Sequence, residues 1–251
     1  MVLLALPLEA SPERSTPNNP WPGRDMKRKA MFRITVLLAG VLLMGGLTGL
    51  QTQAEENLQG VITKLQARYE GLQDLESDFT QVTQFKGFST TLTSKGRTYL
   101  KKGKLRWDYL EPSKQQIFVD GDQVLFYVPE HQQVIKTRLS IELDSQVPVR
   151  LLAGTGHLDR DFNVRWRDET KHRGMDGAYL LSLTPKTPAT DFTEIQMEVN
   201  PQDFLIQKII LQEPGGNHST FEFSGIKSNH GLKDRLFNFD IPKGVVVVEQ
   251  P

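Results

Sequence analysis

Residues able to do chemistry come together at one place in this chain, "HLDRD" at 157–161. If extended, that stretch puts His157, Asp159 and Asp161 on one side, an arrangement that could bind a metal ion or run acid–base catalysis. The competing expectation is a solvated connection, because the charges follow the end of a predicted helix. Asp159→Asn separates the two: it would silence an enzyme and leave a binding protein untouched. His131 and His172 sit in polar loop sequence and His230 lies beside Gly231, so no two form a helix-spaced pair. "NHS" at 217–219 matches a glycosylation acceptor but falls in a hairpin turn. No nucleophile with a base, no phosphate loop and no pair of buried-looking carboxylates stands out. Cysteine is absent, which excludes disulfides, thiolate catalysis and zinc–thiolate sites. The expectation is a protein that is not an enzyme and uses no cofactor or metal.

A second kind of site is apolar. "GKLRWDYLEP" at 103–112 alternates as a strand does, with Leu105, Trp107 and Tyr109 on one face and Arg106 and Asp108 on the other. Phe118, Leu125 and Tyr127 follow on neighbouring strands. Residue by residue, packed core is the ordinary expectation for such side chains. As a group, with glycine-punctuated helices to face them, they could instead line a cavity for an apolar guest.

The elements that position them are mostly strands. Eleven segments of five to ten residues, from "SDFTQVTQF" at 77–85 to "STFEFSGIK" at 219–227, are rich in β-branched and aromatic residues and bounded by turn signals. "DGD" at 120–122, "NPQDF" at 200–204 and "EPGGNHS" at 213–219 predict tight reversals, hence a largely antiparallel meander. Ahead of the strands, Leu58, Val61, Ile62, Leu65, Tyr69 and Leu72 mark one apolar helix face, limited by Gly71. "VPVRLLAGTG" at 147–156 predicts a second short helix between Pro148 and Gly154, carrying Leu151 and Leu152. Two helices cannot cover both faces of so large a sheet, so both are expected on one concave face. The fold class is therefore mainly β with a few helices.

The first fifty or so residues read as an address. Residues 1–25 are Pro-rich and form either an unstructured extension or sequence upstream of the true start, at Met26 or Met31. Lys27, Arg28, Lys29 and Arg33 precede the apolar run "ITVLLAGVLLMGGLTGL", and "TQA" at 52–54 is a small-residue cleavage site, so 26–54 reads as a secretory signal peptide. The run is near a minimal membrane span, but Gly40, Gly45, Gly46, Thr48 and Gly49 interrupt it. Residues 55–251 are then expected to be one domain, exported and, without cysteine, unlipidated. Thirty basic and thirty acidic residues balance over the chain, and no basic run follows the signal, which makes nucleic acid an unexpected partner.

Taken together, "LESDFTQ" at 75–81, "GRTYLKK" at 96–102, "GKLRWDYLEP", "FVDGDQVLFYVPE" at 118–130, "PVRLLAG" and "FNFDIPKGVVVV" at 237–248 resemble the periplasmic outer-membrane lipoprotein carriers of Gram-negative bacteria, the LolA type. The resemblance implies an unclosed β-barrel under a helical lid, with an apolar cavity for the acyl chains of lipoproteins. It implies monomeric, periplasmic action: cargo taken from an inner-membrane lipoprotein-releasing ABC transporter and passed to an outer-membrane receptor. The expected cavity set is Leu58, Leu65, Leu105, Trp107, Tyr109, Phe118, Leu125, Tyr127, Leu151 and Leu152. Such carriers use an arginine, followed by proline, to hold the lid shut. Here Lys102 takes that arginine's place and the proline is missing, so closure is expected to rest on a point charge rather than a planar fork. A binding or sensor protein for another amphiphile, a free lipid or glycolipid, is the alternative reading.

Overall fold

Asn57 opens the first helix: its side-chain oxygen accepts the N–H of Gly60 at 2.8 Å, in a computed structural model that describes residues 57–138, 157–187 and 192–249. The expected extension at 1–25, the signal peptide at 26–54, and the 147–156 helix with Leu151 and Leu152 lie outside the described residues. Helix α1 runs Leu58–Glu70 and buries Val61, Ile62, Leu65 and Tyr69, as its apolar spacing predicts. Gly71 caps it in a right-handed conformation, its N–H reaching Ala67 O at 3.0 Å.

Strands β1 (Leu75–Gln84), β2 (Thr91–Lys101), β3 (Lys104–Glu111), β4 (Gln115–Asp120), β5 (Gln123–Val128) and β6 (Gln133–Arg138) follow as an antiparallel meander. After the short helix α2 (Leu158–Asp161) come β7 (Phe162–Trp166), β8 (Tyr179–Pro185), β9 (Glu194–Val199), β10 (Ile206–Gln212) and β11 (His218–Ser228). β11 pairs with β1 and joins the two meanders into one sheet, ordered β12-β6-β5-β4-β3-β2-β1-β11-β10-β9-β8-β7. The two outermost strands do not pair with each other, so the barrel is unclosed.

The sheet has twelve strands, one beyond the eleven segments legible in the sequence. The added strand, β12 (Val246–Glu249), lies parallel to β6, the one departure from antiparallel pairing in the described sheet. Residues 229–245 carry the chain from β11 to that edge as a strap. That strap runs across the outer face, where Lys101 Nζ meets Asp234 at 2.7 Å and Arg106 donates to Leu236 O at 3.0 Å.

The core lies on the other face. Residues directly opposite in register share a face, so Leu100, Leu105 and Val119 form one inward row, and Ser77, Thr98, Trp107 and Ile117 the next. Phe79, Phe221, Ile209, Met197, Leu181 and Trp166 continue it to the far edge, and α1 packs against the whole.

Candidate functional site

Alternation on β3 builds the centre of the inward face. Leu105 and Trp107 are 1% and 3% exposed, and Tyr109 is half-buried beside them. The Phe79 ring stands 4.5 Å from Trp107 and 5.2 Å from Tyr109 between ring centres, with Phe221 and Phe223 edge-on to Trp107 at 5.8 and 6.1 Å. Gly96 makes room for this stack, since a Cβ there would lie 2.6 Å from the Phe79 ring. Of the residues singled out from the sequence, Leu65, Leu105 and Trp107 meet in one core, with Leu58 and Tyr109 packed against it.

Phe118, Leu125 and Tyr127 do not join them. Phe118 is in register with Arg106 and Leu125, and Tyr127 with Gln116, all on the outer face. There the strap meets two of them: the Phe239 ring lies tilted against Phe118 at 5.0 Å and Tyr127 at 5.1 Å between ring centres. The correction is one of strand parity, because a side chain one position out of step points to the opposite face. Lys102 is exposed, with φ 41, at the β2–β3 turn beside Gly103.

"HLDRD" is helical rather than extended, which breaks the single line His157, Asp159 and Asp161 would share in a strand. Asp161 is held by Arg160 at 2.7 Å, and that ion pair keeps its carboxyl below the usual range despite partial burial. Among the described residues, no cluster of histidines and carboxylates could hold a metal ion.

Helix α1 closes the inward face. Tyr69, buried beneath it, accepts the backbone N–H of Ile206 at 3.2 Å, and burial pushes its phenol well above the usual range. Between Tyr69, Leu75, Leu100, Leu105 and Ile206 a void of about 10 Å³ remains, room for about one water and far too little for a hydrocarbon chain.

Three features escaped the sequence reading. Gly96 is one and the strap is another. The third is polar: Tyr109 donates to Gln81 Oε1 at 2.8 Å, Gln81 Nε2 donates to Thr83 Oγ1 at 3.1 Å, and Thr83 and Ser219 share a hydrogen bond at 2.9 Å. The "FTQVT" alternation, with Phe79, Gln81 and Thr83 on one face, carried that signal. Burial pushes the Tyr109 phenol up to about 12, against a downward pull from a side-chain hydrogen bond with the neighbouring Trp107. That contact with Tyr109 apart, the fully buried indole N–H makes no well-formed hydrogen bond. An unmet buried donor costs about 1–3 kcal/mol.

An unclosed, almost wholly antiparallel sheet packed against α1 through a largely apolar inward face defines the class: an open half-barrel. The chain belongs to the outer membrane lipoprotein carrier protein LolA family, whose model matches residues 70–240. It is 31% identical over 192 residues to the outer-membrane lipoprotein carrier protein of Cupriavidus taiwanensis, covering 74% of this chain and 87% of that one. With the Methylococcus capsulatus protein of the same name it shares 30% over 202 residues, 80% and 92% of the two chains. With that of Pseudomonas putida it shares 29% over 222 residues, 88% and 100%. Among solved structures, an uncharacterised conserved protein of Thermus thermophilus shares the fold, with a TM-score of 0.51 at 11% identity over 76% of this chain and 98% of that one.

Proposed function

We propose that this protein is a periplasmic carrier that takes lipoproteins from the inner membrane to the outer membrane. Its relatives' name supports the cargo, and one structural observation supports the means: among the described residues, a broad, largely apolar sheet face packed against helix α1. Each methylene moved out of water is worth ~0.8 kcal/mol, so one long acyl chain left in water costs on the order of 10 kcal/mol. A carrier must cover such chains and also release them. A face that is equally apolar toward α1 and toward the cargo meets both demands, because closing over itself offsets most of the gain from holding hydrocarbon.

In this reading Leu58 and Leu65 on α1, and Leu105, Trp107 and Tyr109 on β3, take the acyl chains. Leu151 and Leu152 are proposed as a further part of the cover, and Lys102 as the residue that holds it shut. Cargo would arrive from an inner-membrane lipoprotein-releasing ABC transporter and leave to an outer-membrane receptor. The domain at 55–251 would act as a monomer after loss of the 26–54 signal.

Mass spectrometry of organic extracts from protein purified out of a periplasmic fraction tests the cargo. Co-purifying lipoproteins are the expected result, whereas free lipid or glycolipid alone would favour the amphiphile sensor. Lys102→Ala tests closure: faster uptake of a fluorescent fatty acid is expected, and an unchanged rate removes Lys102 from that role.

A further inference from the structure

Along the inward face of β1, burial falls from Leu75, Ser77 and Phe79 to half-buried Gln81 and Thr83. The hydrogen-bonded chain Tyr109–Gln81–Thr83–Ser219 thus crosses β3, β1 and β11 where the apolar interior gives way to solvent. Behind it stands the one buried side-chain N–H left without a well-formed hydrogen bond among the described residues, Trp107 Nε1. One of the two Gln81 amide N–H groups goes to Thr83; the other makes no hydrogen bond with the described residues. The border therefore holds two donor N–H groups, on Trp107 and Gln81, that lack a well-formed hydrogen bond with the described residues.

An acylated polypeptide presents the complementary chemistry at the matching depth. Its hydrocarbon ends are apolar, its peptide is polar, and between them lie ester and amide carbonyls, which accept hydrogen bonds and donate few. We propose that Trp107 Nε1–H and the amide of Gln81, held in place by Tyr109 and Thr83, form a carbonyl seat that registers the joint between acyl chains and peptide. The proposal rests on the carrier reading and adds to it a cause of selectivity: chain-end depth is set by where the carbonyls stop. A plain hydrocarbon would enter without registering. A chain with its ester or amide at this border would relieve the unmet indole donor.

The test compares two synthetic diacyl lipopeptides, one ester-linked and one an ether-linked twin of equal chain length, binding to the full-length protein. The ester form is expected to bind about fivefold tighter, the worth of one neutral hydrogen bond. Trp107→Phe keeps a ring and loses the N–H, and should bring the ester-to-ether ratio to about one. Gln81→Leu, at a half-buried position, gives the same readout should Trp107→Phe fail to fold, with a thermal melt as the check. Equal binding of both lipopeptides by the unaltered protein, or an unchanged ratio in the folded variants, overturns the carbonyl seat and leaves the carrier reading standing. No binding of either overturns both.

Discussion

Asp74 shows how much one side chain can organise. It sits between α1 and β1, 3% exposed, and its carboxylate accepts backbone N–H groups of His230 at 2.9 Å, Gly231 at 2.9 Å and Leu232 at 3.1 Å. Burial pulls its pKa up, but the three donors together hold it below the usual range. A depressed folded pKa means that the stabilisation is complete above the ordinary carboxylate pKa and is lost as pH falls through the lower, folded value. Asp74→Asn should lower stability at pH 7 by about 1.5–3 kcal/mol and flatten the acid limb, both readable in urea titrations from pH 7 to 3. Gly96 acts by absence instead. Gly96→Ala would set its Cβ 2.0 Å from the Asp108 backbone oxygen on β3 and 2.6 Å from the Phe79 ring, so strand and ring must both shift, and a loss of about 1–3 kcal/mol is expected in the same titrations. Unchanged stability would show that the close approach of β2 and β3 at this point yields freely.

At the scale of elements, the carrier reading requires α1 to be the piece that moves. Its four most buried side chains are Val61, Ile62, Leu65 and Tyr69, yet its one hydrogen bond to the sheet from a buried group is Tyr69 with Ile206 N, among the described residues. Arg68 adds two contacts at the same end, to Asp203 O at 3.1 Å and Ser228 Oγ at 2.7 Å. These polar fastenings lie near the C-terminal turn, and Lys64 stands over the Phe204 ring at 5.3 Å, while Val61, Ile62 and Leu65 are buried in apolar contact, the kind a hydrocarbon can replace. Leu65→Glu places a charge on the replaceable surface. Loss of lipoprotein transfer with unchanged far-UV circular dichroism is expected, as for Trp107→Asp on the facing strand. Normal transfer by both variants would falsify the assignment of this face to cargo.

At the scale of the molecule, the sheet has two unlike faces. The inward one is packed against α1; the outward one carries the strap and a half-buried charge pair, Arg106 with Asp108 at 2.9 Å, whose carboxylate also accepts from Gln116 at 3.0 Å. Arg106 also lies over the Phe118 ring at 5.2 Å. Removing residues 229–251 should expose Phe118 and Tyr127 and leave Arg106 without Leu236. Dye binding to exposed apolar surface and aggregation are expected, with a lower melting midpoint. Asp159→Asn, in a short helix where the neighbouring Asp161 is taken by Arg160, should change neither melting nor lipid transfer.

The eleven antiparallel strands, α1 and its buried face, and the hairpins at 120–122, 200–204 and 213–219 were all legible in the chain, because each is dictated by local periodicity and turn chemistry. Leu105 and Trp107 were legible as an apolar pair for the same reason. Which face a strand's apolar residues occupy was not, since alternation defines two faces and only pairing says which is inside; Phe118, Leu125 and Tyr127 fell on the wrong side of that ambiguity. Nor could local pattern foresee β12, whose partner β6 lies more than a hundred residues earlier. The Tyr109–Gln81–Thr83–Ser219 chain is likewise a product of register across three strands. Short-range sequence order determined what the pieces are; long-range pairing decided which of their side chains meet, because a hydrogen bond or a ring contact depends on distance in space.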